Sequence, residues 1–183
     1  MKLKYIPFAV WPFLVVISSL YNANALFKFT NVKCKSYNQS FCEFKRCELK
    51  IVDRGVVGLF LHVKANQLPI NSVTCALSFF RRFSGYRPFL YNITFDVCNF
   101  LKNRKRYPFA DLVYDGIRNF SNVNHSCPFN HDIIVNRMVL DDNMIVKAPV
   151  PNGFYKLQFI VRADGDWRGE VEVHAEVNWG YGN

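Results

Sequence analysis

The sequence has few of the short patterns through which catalytic and nucleotide-binding chains are usually recognised. It contains no Gly-x-Ser-x-Gly elbow, which removes the usual placement of a hydrolase serine. No glycine-rich dinucleotide or phosphate loop is present, so the backbone cradle those ligands require is missing. Internal repeats, low-complexity tracts and linkers rich in Pro, Gly or Ser are all absent, and nothing marks a boundary between domains. Beyond residue 25 no apolar run approaches bilayer-spanning length without meeting a charge, so no membrane-spanning segment is expected there. Acidic residues are scarce, with 14 Asp and Glu against 23 Lys and Arg and a formal net charge of +9. Such a balance suits an anionic lipid or glycan outside the cell, and nucleic acid is not an expected partner.

What the chain does have begins at its N-terminus. Lys2 and Lys4 precede an apolar stretch from Ile6 to Leu20, followed by Tyr21, Asn22, Ala23, Asn24 and Ala25. That order of positive, apolar and small residues predicts a cleavable secretory signal over residues 1–25. Pro7 and Pro12 interrupt the apolar run, which argues against an uncleaved anchor. Residues 26–183 then form a single secreted, extracellular domain, large enough to bury a real core.

Export sets the expected cysteine chemistry. All six cysteines, Cys34, Cys42, Cys47, Cys75, Cys98 and Cys127, lie beyond the leader, and an even count in an oxidising compartment predicts three bridges. Their spacing leaves the connectivity open. Four sequons, at Asn38, Asn92, Asn119 and Asn124, predict a glycoprotein whose modified asparagines face solvent.

Most of the chain alternates with period two. Val73, Cys75, Leu77 and Phe79 share one face, as do Phe89, Tyr91, Ile93, Phe95 and Val97, with Asn92 on the other. Further strands are expected at Phe27 to Val32, from near Cys47 through Ile51, at Val56 to Lys64, from Ile133, at Phe154 to Val161 and at Val171 to Val177. Ala163-Asp164-Gly165-Asp166 supplies a hairpin turn between the last two. Only the centre changes period. Phe109, Leu112, Val113, Ile117 and Phe120 recur at helical spacing after Pro108, and a shorter helix from Cys98 to about Arg104 precedes them. The expected fold is mainly β, an immunoglobulin-like two-sheet β-sandwich with one or two short helices inserted mid-chain, without the Cys and Trp spacing of true immunoglobulin domains.

Several clusters invite a chemical reading. His125, Cys127, His131 and Asp132 could hold a metal, or Cys127 could act as a nucleophile with His131 as its base. Both need a free thiolate, and in an exported chain the better reading is a disulfide-pinned loop. Asp141 with Asp142, and Asp164 with Asp166, sit among turn formers and read as solvated turns. The basic run Lys102, Arg104, Lys105 and Arg106 could meet anionic head groups or sulfated glycan. At the end of a short helix it is better read as dipole-complementing surface charge, and Arg81 and Arg82 at a strand end receive the same reading. Eighteen Phe remain; on composition alone a packed core accounts for them better than a ligand cavity.

Specific words in the sequence carry a resemblance. Residues 85–98 (GYRPFLYNITFDVC), 100–103 (FLKN) and 124–135 (NHSCPFNHDIIV), with 29–34 (FTNVKC) and 150–155 (VPNGFY), resemble a large family of insect secreted proteins of unknown function. That family is similar to the CheB chemosensory proteins and, through them, to the lipid-recognition (ML) β-sandwich group that includes the ganglioside activator. The resemblance implies two sheets parted enough to hold an apolar ligand. Its usual cysteines match Cys34, Cys47, Cys98 and Cys127, which implies pairs Cys34 with Cys47 and Cys98 with Cys127, and leaves Cys42 and Cys75 as an added pair of their own.

The expected function is that of a secreted non-enzymatic binding protein for a lipid or other hydrophobic small molecule, serving as a carrier or as an accessory to chemosensation or signalling, with a cell-surface receptor as a second candidate partner. No cofactor, metal or catalytic residue is expected, and no particular residue is assigned to ligand contact. The alternative is a glycosylated recognition protein with a fully packed core. A continuous cavity of about 300 Å³ or more between the sheets separates the two.

Overall fold

Wherever apolar and polar residues alternate, the chain pairs into antiparallel ladders. The computed structural model describes residues 26–140, 144 and 150–179; the expected leader and the Asp141–Asp142 pair lie outside them. Eight strands are present among these residues: β1 (Leu26–Ser36), β2 (Cys42–Asp53), β3 (Val56–Ala65), β4 (Val73–Arg82), β5 (Tyr86–Asp96), β6 (Ile133–Val139), β7 (Gly153–Ala163) and β8 (Asp166–Asn178). They form a five-stranded sheet in the order β1-β8-β7-β4-β5 and a three-stranded sheet in the order β2-β3-β6. The molecule is therefore a mainly β, two-sheet sandwich.

Two helices fill the connection from β5 to β6, as the change of period predicts. Helix α1 (Val97–Lys102) starts where the Asp96 carboxylate accepts the Asn99 amide at 2.7 Å, a cap contributing about 1 kcal/mol. Helix α2 (Pro108–Ile117) opens on a proline whose missing N–H would have no partner in the first turn anyway. Short 3-10 turns, Arg104–Arg106 and Arg118–Phe120, precede and follow α2. The β7–β8 hairpin turns on Asp164 (φ 47°) and Gly165 (φ 92°), the pair of positive dihedrals that matches the right-handed twist of its strands.

Period-two patterning places one face of the large sheet inward. Cys75, Leu77 and Phe79 of β4 oppose Val161, Phe159 and Leu157 of β7, and Leu157 and Phe159 oppose Val173 and Val171 of β8. Leu77 is only 1% exposed, and burying such a side chain contributes roughly 1.5–3 kcal/mol. The interior is not uniform along its length. At one end Phe41, Cys42, Ile70, Phe129 and Ala163 pack solidly together. Leu77, Phe95 and Phe100 pack beneath the helices around Ala110. At the other end Phe79, Tyr155 and Val177 form a more open group with Phe27, Phe89 and Phe109.

Candidate ligand cavity

That open end contains a cavity of about 550 Å³, inside the range of small-molecule sites. The large sheet supplies one wall through Phe29, Phe79, Tyr155, Leu157, Val173 and Ala175. Leu59 of β3 and Met138 of β6 face it from the small sheet, and α2 lays Phe109, Val113, Gly116 and Ile117 along the side. Ring stacking fixes the walls: Phe79 lies 5.2 Å from Tyr155 at 11°, and Tyr91 lies 4.0 Å from Phe109 at 12°. Each such pair contributes about 0.5–1.5 kcal/mol beyond its area.

The mouth follows from a fault in the β4–β5 ladder. Register shifts between Ser78 and Phe80, which face Asn92 and Pro88 respectively, so Phe89, Leu90 and Tyr91 arch out of the pairing. Leu90 takes φ 61°, a conformation L-residues adopt only under constraint. Leu90 and Tyr91 line the cavity while remaining 67% and 43% exposed, and so mark where it meets solvent.

The lining offers almost nothing polar. Among the described residues Tyr91 and Tyr155 carry its only hydroxyls, and Tyr155 donates its own to the Pro151 carbonyl at 2.5 Å. Burial pushes the Tyr155 phenol above its ordinary pKa. Occupancy would thus be driven by burial of apolar surface, with no internal hydrogen bond to dictate orientation.

The sequence-predicted residues lie elsewhere. Cys34 is bonded to Cys47, joining β1 of one sheet to β2 of the other, and Cys98 is bonded to Cys127, tying α1 to the loop before β6. The expected third bridge is corrected: Cys42 and Cys75 are both free and buried. Cys42 sits in the solid end of the core, its Sγ donating to the Arg168 carbonyl at 3.4 Å. Cys75 is seated in β4 among Leu77, Phe95 and Phe100. Separate packing clusters hold the two sulfurs, and burial pushes the Cys75 thiol up to about 12. An even count of cysteines therefore did not entail complete pairing.

With its sulfur in a disulfide, Cys127 is neither nucleophile nor metal ligand. The neighbouring polar groups hold the loop to the sheet. Asp132 contacts His62 Nε2 at 2.8 Å and accepts the Ala65 amide at 3.0 Å, and these hydrogen bonds hold its carboxyl below the usual range. His125 Nε2 meets His131 Nε2 at 2.8 Å, and the Asn122 amide nitrogen lies 3.0 Å from His131 Nδ1. Among the described residues no group of three or more His, Cys, Asp or Glu converges as metal ligands.

Of the basic run, Arg104 is taken up by Asp111 and Asp115 of α2 at 3.3 and 3.1 Å, while Lys102, Lys105 and Arg106 are exposed. Asn92, Asn119 and Asn124 are exposed. Asn38 is half-buried, and its side-chain oxygen accepts the Ser40 hydroxyl at 2.6 Å. Among the described residues no helix is long and apolar enough to cross a membrane. No ligand contact was assigned from sequence, because period-two apolar positions such as Phe29, Leu157 and Val173 look alike whether they face a void or a neighbour.

With this geometry in place, the chain is classed as a two-sheet sandwich with an apolar chamber between its sheets. Residues 75–157 match the model of a family described as a protein of unknown function, DUF1091. The match runs from within β4 into β7 and includes the mouth strands and both helices. No curated protein matches the sequence.

Proposed function

We propose that the protein is a secreted, non-enzymatic binder of a lipid or other hydrophobic small molecule, acting as a carrier or as an accessory in chemosensation or signalling. The observation that carries this reading is the 550 Å³ apolar cavity with its mouth at Leu90 and Tyr91. A volume of that size left inside a small domain is expensive, since each unfilled methyl-sized space costs about 1 kcal/mol of packing. Two disulfides support placement in an oxidising compartment. The likeness of residues 85–98 and 124–135 to the CheB-related secreted proteins, and through them to the lipid-recognition sandwiches, points the same way. Burying ten methylenes of an acyl chain would yield a gross ~8 kcal/mol, of which the part remaining after ordering and desolvation costs appears as affinity.

Displacement of a bound fluorescent fatty acid tests the reading, with Gly116→Leu as the blocked control. Gly116 lines the cavity from α2, and a Cβ there would meet only the Met144 side chain, Sδ at 3.4 Å and Cε at 3.7 Å, so the new side chain enters the chamber. Wild type should bind the probe, and Gly116→Leu should lose at least about tenfold in affinity, roughly the contribution of two displaced methylenes. If wild type takes up neither the probe nor any lipid by native mass spectrometry, recognition through the glycosylated outer surface replaces this reading.

A further inference from the structure

We propose that Arg81 and Arg87 form a head-group site at the rim of the cavity, so that its occupant is an anionic amphiphile: a hydrocarbon tail inside, with one carboxylate or phosphate held at the mouth. This rests on reading the cavity as a ligand site and adds the chemical class of ligand.

The register of the β4–β5 hairpin carries the inference. Arg81 and Arg87 are directly opposed partners in that ladder, and opposed residues of an antiparallel pair project from the same face. Two like charges placed this way repel and destabilise the hairpin. Among the described residues no carboxylate forms an ion pair with either. Arg104, by contrast, has two carboxylates within 3.3 Å. Residues 80–91 (FRRFSGYRPFLY) contain three arginines and no acidic residue, so local sequence supplies no counter-charge to the pair.

The face they share is the cavity side. The Arg81 guanidinium lies 5.9 Å from the Tyr155 ring, and Tyr155 is part of the lining. The rings of Phe83 and Phe89 lie 5.3 and 5.7 Å from the same group. One nitrogen, Nη2, donates to the Asn152 carbonyl at 3.0 Å; a guanidinium has further donors in the same plane, in the fork that suits a carboxylate or phosphate. Arg82, one residue on, faces Tyr86 on the opposite side of the sheet. Three and four residues along β5 from Arg87 come Leu90 and Tyr91, which line the cavity and are exposed. A tail seated against Tyr91 and Phe109 would therefore leave its head beside two unneutralised guanidinium groups. Among the described residues the lining holds no charged side chain, so a charged head would find its counter-charge at the rim.

The test measures displacement of Nile red from the full secreted chain by three ligands with the same tail: palmitate, hexadecyl phosphate and hexadecanol. The anionic ligands should compete on the order of tenfold better than the neutral alcohol, and that preference should shrink as salt is raised. In Arg87→Gln, and more fully in Arg81→Gln/Arg87→Gln, the preference should disappear while hexadecanol competes as in wild type, which also reports that the variants fold. Preference for only one of the two anions supports the site and identifies its head group. Equal competition by all three in wild type, or a preference that survives in the double variant, overturns the head-group site and leaves the cavity reading standing. Failure of Nile red and every ligand to bind overturns the cavity reading, and this one with it.

Discussion

His174 illustrates how one side chain can couple the sandwich to pH. It lies on the outer face of the large sheet yet is only 7% exposed, covered by Tyr86, whose hydroxyl is 3.0 Å from Nδ1. Its Nε2 is 3.7 Å from Glu172, too far for a hydrogen bond, while Lys33 and Lys156 add positive potential. Burial is the largest influence and holds its pKa below the ordinary 6.5; Glu172 opposes that and the two lysines reinforce it. The folded state thus prefers the neutral ring, and the unfolded chain takes up the proton first. Stability is complete above the unfolded value near 6.5 and should fall as pH drops below it towards the depressed folded value. Urea unfolding at about pH 7.5 and about pH 5 should show wild type losing more stability than His174→Gln over that interval. Parallel losses in the two proteins would mean that other groups set the acid limit.

At the scale of elements, local rules account for what was legible. β4 could be read because the larger apolar residues Val73, Cys75, Leu77 and Phe79 alternate with Thr74, Ala76 and Ser78, and α2 because Pro108 opens a run at helical spacing. The β7–β8 turn was legible because Asp-Gly accepts the dihedrals a two-residue hairpin needs. That turn also gives a sharp prediction. Gly165 sits at φ 92° with nothing within 4 Å of an added Cβ, so the cost of Gly165→Ala is backbone strain alone, about 1–2 kcal/mol. Gly85, in the β4–β5 turn, likewise has open space around it but no positive φ. Gly85→Ala should therefore leave stability unchanged or raise it slightly by restricting the unfolded chain. Chemical denaturation of the two variants should separate them by more than 1 kcal/mol; equal midpoints would show that steric space, not φ, governs these turns. The arch at Leu90 was not legible, since a register shift depends on both strands and leaves no mark on either. The opposition of Arg81 and Arg87 was hidden for the same reason.

At the scale of the whole molecule, what decides between a solid sandwich and a hollow one is how far its two sheets stand apart. Composition could not report that: Phe95 and Phe100 pack against each other while Phe79 and Phe109 border the cavity, and the residue type is the same. Nor did counting cysteines find Cys42 and Cys75 unpaired, because the count carries no distances. The covalent tie between the sheets is Cys34–Cys47, with a sequence separation of 13. Closing a loop of that size restricts the unfolded chain by about 3 kcal/mol. Cys98–Cys127, with a separation of 29, acts within the helical segment and should contribute slightly more on entropy alone. Replacing Cys34 and Cys47 together by Ala should then lower unfolding free energy by about 3 kcal/mol, and replacing Cys98 and Cys127 by about 0.7 kcal/mol more. Because only the first pair joins one sheet to the other, its loss should, under the proposed function, also weaken uptake of the fluorescent fatty-acid probe, whereas a purely unfolded-state effect would lower stability and leave affinity untouched. Measuring both quantities on both variants separates these outcomes: an undiminished affinity without Cys34–Cys47 would mean that side-chain packing alone holds the sheets at the spacing the cavity needs.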